Sequence, residues 1–366
     1  MTDPALTASI LDAAAARRAE RRRFIKLASG GVAVAGGLSL LAACGGDDDD
    51  DNPITNPSPT PTPTPSSSSV AAEVAVLNFA LQLEYLEAQF YAYAATGEGL
   101  PAALIAGTGT AGAVTGGRRV AFTDPVVAAY AREIAADERA HVAFLRQVLG
   151  SAAVAMPAIN IDGSATGAFS TAARAAGLVG EGAAFDPYAN DENFLLGAYI
   201  FEDVGVTAYK GASSTLIFTA GYQEATAGLL AAEAYHAGLI RTTLYQKGLA
   251  TPSLRTGADA ISDARDRLDG VRATGATPTP TPSPTPTATA TSLPTGVDAR
   301  DLDQGITGTA TMSNIVPADA NGIAFSRTVG QVLNITFLNN APVTSGGFFP
   351  AGVNGTLNTS ADSRPA

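Results

Sequence analysis

Apolar residues recur every three to four positions over four stretches between residues 70 and 250, the period of helices that bury one face. The first runs from Val70 to about Ala95, behind the serine run ending at Ser69. Its Val74, Leu77, Leu81, Glu84 or Tyr85, and Ala88 share one stripe, and the pattern stops before Gly97. The second opens on Asp124-Pro125, a cap followed by proline at the first helical position, and continues through Ile134, His141 and Leu145 to Gly150. The third starts near Asp191 and passes Phe194, Ile200 and Tyr209 on the way to Ala212. The fourth covers roughly residues 220–247, with Gly248 as its stop. The third and fourth are joined closely, whereas Ser151 to Asn190 is too long for a link between neighbouring helices and reads as a crossover. The link from Gly97 to Thr123 is longer than a hairpin needs and is expected over one end of the bundle. The pattern predicts an all-α fold: a four-helix bundle of two hairpins joined by one long crossover. Further on, Val329, Val332, Leu333, Thr336 and Phe337 fall at helical spacing before the turn Gly346-Gly347-Phe348-Phe349-Pro350. They predict a short C-terminal helix and loop that pack back on the bundle.

Composition changes the picture outside the helices. Residues 52–69 are almost wholly Pro, Thr, Ser and Asn, and residues 276–292 repeat Thr-Pro and Thr-Ala, so both read as disordered spacers with nothing to bury. The expected organisation is a leader (1–43), a tether (44–69), the bundle (70–250), a linker containing the Thr/Pro spacer (251–293) and a C-terminal extension (294–366). The net charge of −12 excludes nucleic acid as an expected partner, because clustered Lys and Arg occur only in the first 26 residues. There, Arg21-Arg22-Arg23-Phe24-Ile25-Lys26 precedes an apolar run to Ala43, which resembles a twin-arginine export signal. The run ends in Leu41-Ala42-Ala43-Cys44, which resembles a bacterial lipobox. Cys44, the sole cysteine, is then expected to carry a lipid that anchors an exported protein to a membrane of the cell envelope. Cleavage before it would leave a net charge of −15, with Asp47 to Asp51 as a solvated part of the tether.

The candidate chemistry lies in the histidines. There are two, and each follows a glutamate by three residues: Glu138-Arg-Ala-His141 and Glu233-Ala-Tyr-His236. With 12 glutamates in 366 residues, chance would put one at that offset before both with odds of about one in a thousand. Residues three apart share a helix face, so each tetrad presents a carboxylate beside an imidazole, half of a two-metal carboxylate site. The first and third helices carry a second matched pair, Glu84 with Tyr91 and Glu202 with Tyr209, each tyrosine seven residues on and so nearly above its glutamate. An arginine follows each histidine by five, Arg146 and Arg241. Two hairpins, each giving Glu plus Glu-x-x-His, supply four carboxylates and two imidazoles about a pseudo-twofold axis.

With those motifs the chain resembles the ferritin-like superfamily, specifically bacterial ferritin-like domain proteins related to plant desiccation-related proteins, over about residues 70–250. The Asn321-to-Gly355 segment is similar to that group's C-terminal region. The resemblance implies Glu84 and Glu202 as terminal ligands, Glu138 and Glu233 as bridging carboxylates, and His141 and His236 as one imidazole for each of two ions. A carboxylate majority with imidazole suits iron or manganese better than zinc, and no thiolate is available. Glu87, Glu133, Asp137, Asp203 and Glu224 are assigned to solvent faces or supporting positions, with Glu87 the nearest rival to Glu84. Tyr85, Tyr91, Tyr209 and Tyr235 are read as core. No catalytic residue is assigned beyond the metal ligands. Two functions follow: an exported, membrane-tethered metalloprotein that oxidises Fe(II) or consumes peroxide or dioxygen, or a non-enzymatic envelope protein of desiccation and stress protection with a structural or vestigial metal site. The anchor, spacers and extension disfavour a closed storage cage and are compatible with a twofold homodimer.

Overall fold

A computed structural model describes residues 67–216, 219, 221–270, 302–309 and 311–364. The segment expected to be a twin-arginine leader, Cys44, most of the expected tether and the Thr/Pro-rich stretch lie outside the described residues. The helices are α1 (Ser67–Thr96), α2 (Pro125–Leu149), α3 (Ala168–Ala175), α4 (Asp191–Ala212), α5 (Tyr222–Ala250), α6 (Pro252–Asp269) and α7 (Val329–Phe337). Two short strands, β1 (Val114–Gly116) and β2 (Ile159–Ile161), pair in parallel with Val114 opposite Ile159. Helix α1 packs on α2, and α4 on α5, as two hairpins that meet along α1 and α4.

Local chemistry explains the boundaries. Asp124 accepts hydrogen bonds from the Val126 and Val127 amides, with Pro125 in the first turn, and Asn190 caps α4 through the Asn193 amide. A Thr328–Gln331 capping box opens α7, and Leu338 closes it in the left-handed region at φ 54°.

The two hairpins are not used alike on all faces. Helices α2 and α5 bury one side, whereas α1 from Val76 to Tyr91 and α4 from Phe194 to Tyr209 are buried almost all round. By length and composition α1 could cross a membrane, yet 67% of the qualifying stretch is buried within the fold, as expected of a core helix. The outer side of α1 is covered by the crossover: Asn78 bonds the backbone of Ala152 and Val154, and the Tyr85 hydroxyl donates to the Val154 carbonyl at 3.1 Å. The first link therefore does not merely sit over one end of the bundle, since its β1 pairs with β2 of the crossover. Phe90, Phe169, Phe194, Phe201 and Phe348 form one aromatic cluster joining α1, α3, α4 and the C-terminal loop, with Phe201 and Phe348 edge to face at 4.8 Å. Each such ring contributes about 1.5–3 kcal/mol on burial.

Part of the segment expected to be linker is helix. Residues 252–269 form α6, which buries Leu254, Ala258, Ile261 and Ala264 against α4 and α5. Nor is Gly248 a stop, because α5 runs on to Ala250. A Cβ at Gly248 would lie 2.3 Å from Arg255 Cγ, so the glycine permits close approach of α6.

Three buried arginines bind these additions to the bundle. Arg241 of α5 and Arg265 of α6 both reach Asp203 Oδ2, at 2.6 and 2.9 Å. Arg265 also pairs with Asp303, and Arg327 reaches Asp303 at 3.0 Å and Asp269 at 2.8 Å. Removing one member of a buried ionic network strands its partner in a low dielectric, so the extension is an integral part of the fold.

Candidate metal centre

Glu84 lies on α1, Glu138 and His141 on α2, Glu202 on α4, and Glu233 and His236 on α5. All six side chains turn inward and converge between the hairpins, the carboxylates at 0–1% exposure, His236 at 3% and His141 at 9%. The imidazole rings face each other with centroids 5.9 Å apart and planes 27° from parallel. His141 Nδ1 lies 3.3 Å from Glu84 Oε2, 3.7 Å from Glu138 Oε1 and 3.6 Å from Glu233 Oε1. His236 Nδ1 lies 3.0 Å from Glu138 Oε1 and 3.9 Å from Glu202 Oε2. Glu138 thus stands near both imidazoles, and Glu233 belongs to both donor groups, Glu84/Glu138/His141/Glu233 and Glu202/Glu233/His236. Donors that share one ion through bonds of about 2.1 Å at right angles sit about 3 Å apart, so these separations suit two adjacent cations.

The unsatisfied atoms point the same way. Glu84 Oε2, Glu138 Oε2, Glu202 Oε2, both Glu233 oxygens, His141 Nδ1 and His236 Nδ1 are buried without a directed hydrogen bond. A buried polar atom left in this state costs about 1–3 kcal/mol, and more when charged. Seven of them aimed into one space fit the donor set of a divalent-metal pair better than a metal-free polar cluster.

Proton affinities reflect the same crowding. Burial, reinforced by Glu138 and only partly offset by His141, pushes Glu84 well above the ordinary carboxylate range. Glu202 rises likewise, burial first and Glu233 and Glu138 next, against the pull of His236. Glu138 goes down despite its burial, because His141 and His236 both face it. Burial lowers both imidazoles, but the carboxylates outweigh it: His141 rises well above its usual value, and His236 is pushed up to about 11. In the absence of cations the imidazoles carry protons as counter-ions, and metal must displace those protons.

The supporting residues differ from expectation. Tyr91 donates to Glu202 and Tyr209 donates to Glu84, so each tyrosine serves the other hairpin's glutamate rather than its own. The cause is that α1 and α4 run antiparallel, which places a residue two turns beyond one glutamate beside the other. Tyr85, Tyr91 and Tyr209 are core as expected, but Tyr235 is 76% exposed. Asp137 Oδ2 lies 3.5 Å from His236 Nε2 and holds the ring with Nδ1 toward Glu138. The two matched arginines act at equivalent places: Arg146 donates to the Tyr85 hydroxyl at 2.6 Å and Arg241 to Asp203, each partner being the residue after a convergent glutamate. Asp203 and Glu87 are not on solvent faces, at 4% and 5% exposure. The spacing held a signal for Glu87, since it sits one turn beyond Glu84 on the same face.

A bundle of two hairpins joined by a crossover, with mirrored Glu and Glu-x-x-His sets facing inward, agrees with the comparisons with known proteins. Residues 72–246 match the family described as ferritin-like domain. The chain carries a ferritin-like domain. Proteins similar to this chain include the ferritin-like catalase Nec2 of Nesocodon mauritianus, 27% identical over 295 residues that span 78% of this chain and 85% of that protein. Another is the desiccation-related protein PCC13-62 of Craterostigma plantagineum, 32% identical over 201 residues that span 55% of this chain and 61% of that protein. No solved structure matches the chain.

Proposed function

We propose that the ferritin-like domain holds two iron or manganese ions and uses them to consume hydrogen peroxide. In this reading Glu84 and His141 bind one ion, Glu202 and His236 the other, and Glu138 and Glu233 are shared. The observation that carries it is the set of seven buried donor atoms without a directed hydrogen bond, five carboxylate oxygens and the Nδ1 atoms of the two imidazoles. The kinship with a protein named a ferritin-like catalase favours peroxide over ferrous iron as substrate. Bound, such a pair supplies a two-electron redox couple, which balances as two H2O2 giving two H2O and one O2. The chain's own residues would fix the donors and exclude bulk water. Tyr91 and Tyr209 hold the outer carboxylates by hydrogen bonds, Asp137 orients His236, and the aromatic cluster closes the interior.

The test is metal analysis of the protein and of His141→Ala and His236→Ala, with oxygen evolution from peroxide and ferrous oxidation measured in parallel. Two ions per chain with oxygen release in the parent, and loss of both in the variants, is the expected result. A native protein without metal would end this reading. A second reading rests on the similarity to a desiccation-related protein: two ions bound without turnover would make the centre structural, and ligand removal would then lower the melting temperature alone.

The proposal extends to location. Arg21-Arg22-Arg23, the apolar run to Ala43 and Cys44 support export with a lipid on Cys44 and attachment to an envelope membrane. Mass spectrometry of the mature N-terminus tests it, and Cys44→Ala should release the protein from membranes.

A further inference from the structure

The duplication that builds the centre is broken at its middle. Glu84 and Glu202 are equivalent, but three residues after Glu84 stands Glu87, and three after Glu202 stands Gly205. Tyr91, seven residues past Glu84, reaches Glu202, and Tyr209, seven past Glu202, reaches Glu84. Since α1 and α4 run antiparallel, the level midway between the two outer glutamates falls three to four residues past each. At a rise of about 1.5 Å per residue that is roughly 5 Å along each helix, which puts Glu87 and Gly205 opposite one another at the pseudo-twofold axis. The packing agrees: a Cβ on Gly205 would lie 3.6 Å from Glu87 Oε1 and 2.3 Å from Glu233 Oε2. Glu233 of α5 therefore fills the Gly205 position, and at this level α1 contributes a carboxylate where α4 contributes none.

Glu87 is one turn beyond Glu84 on the same face of α1. It is 5% exposed and makes no hydrogen bond or ion pair with a described residue. Burial, and after it the carboxylates of Glu233, Glu138, Glu202 and Glu84, push its carboxyl well above the ordinary range. All four glutamates of the centre thus bear on it, and Glu233 and Glu138, the two read as shared, come first. The small cavity that Glu87 also borders, lined by Leu83, Leu86, Ile200, Val204 and Phe348, supplies apolar surface and no counter-charge. Buried charges are paired or coordinate metals, and among the described residues no Lys or Arg pairs with Glu87.

We propose that Glu87 is a seventh donor of the centre, a carboxylate at the pseudo-twofold axis that ligates the metal pair beside Glu138 and Glu233. This rests on the two-ion reading above and goes beyond it in donor number and charge. With neutral imidazoles, four carboxylates balance two divalent ions, and a fifth balances a pair that carries one more positive charge. Glu87 therefore favours the more oxidised state of the pair. Gly205 completes the arrangement, since a second side chain at the axis would displace Glu233.

The test uses the full-length protein loaded with manganese, and none of its readouts depends on turnover. In crystals of the parent, anomalous diffraction at the manganese edge should place a Glu87 oxygen within about 2.5 Å of an ion. A two-ion centre with both Glu87 oxygens beyond about 3 Å would overturn the proposal and leave the two-ion reading intact; a parent that takes up no metal would end both. Glu87→Gln keeps the shape and removes the charge. It should weaken the binding of at least one ion by about 10-fold or more in chelator competition. It should also change the electron paramagnetic resonance spectrum of the coupled manganese pair and raise its reduction potential. Parental affinity, spectrum and potential would overturn the assignment, because a side chain that is merely packed tolerates an isosteric amide. Glu224→Gln, at an exposed position of α5, controls for net charge; an equal rise in potential there would also overturn it. Should Glu87→Gln fail to fold, the diffraction result on the parent decides alone.

Discussion

Gly205→Ala gives the sharpest test of how the centre is packed, because its effects on the metal-free and metal-loaded protein should have opposite signs. The added Cβ would stand 2.3 Å from Glu233 Oε2, more than 1 Å inside ordinary contact, and only 3.6 Å from Glu87 Oε1. Without metal Glu233 is free to turn aside, and replacing a helical glycine by alanine should then stabilise α4 by up to about 1 kcal/mol. In the proposed metal-loaded form Glu233 would be pinned as a shared ligand, so relief would have to come from moving α4 or distorting the bond. Overpacking of this kind costs about 1–3 kcal/mol, which lowers metal affinity by roughly 5- to 150-fold. The assay is paired: competition titration with a chelator for affinity, and thermal unfolding with and without metal for stability. Expected is a metal-free protein that melts at or above the parent and a metal-loaded one that melts below it. A variant that binds two ions with parental affinity and melts higher in both forms would refute the placement of Glu233 between the ions.

Three further outcomes follow. Stripped of metal, the protein should lose stability as pH rises from the ordinary histidine value of 6.5 toward the value of about 11 reached by His236, because groups raised on folding contribute fully below their unfolded value and lose that contribution through the folded one. His141, Glu84 and Glu202 act in the same direction, while the lowered Glu138 acts oppositely by contributing above its unfolded value and losing that as pH falls, so the melting gap between loaded and stripped protein should widen with pH; an equal gap at both ends of the range contradicts this. Arg241→Met should destabilise by about 3–5 kcal/mol by leaving buried Asp203 to Arg265 alone and the carbonyls of Gln304, Gly305 and Asn314 without their donor, seen in urea unfolding, and a change within 0.5 kcal/mol would mean the network is dispensable. Tyr91→Phe and Tyr209→Phe should each retain both ions yet shift the metal pair's reduction potential, read by redox titration, because each removes a hydrogen bond from the other hairpin's carboxylate.

Legibility in the sequence followed the range of the interaction. Helix existence and the cap at Asp124 were readable because period and capping act within a few residues. So was the set of six convergent side chains, since the same spacing occurs twice. Helix α6 had a readable pattern too, Leu254, Ala258 and Ile261 behind Pro252, but its charged composition and its place before the Thr/Pro spacer masked it. The burial of Arg265 had no local signal, because its partner Asp303 lies 38 residues away.

By itself the amino-acid order determined which residues form helices and that two chemically equivalent half-sites exist, since both properties repeat at fixed short separations. Tertiary structure alone decided that Glu138 stands near both imidazoles and Glu233 in both donor groups, that the tyrosines exchange partners across antiparallel α1 and α4, and that Glu87 is buried beside Gly205, where a side chain would meet Glu233. Those outcomes depend on the direction and closeness of helices brought together by a long crossover and locked by buried ion pairs. Spacing along one helix carries no information about how far away, or in which direction, another will run.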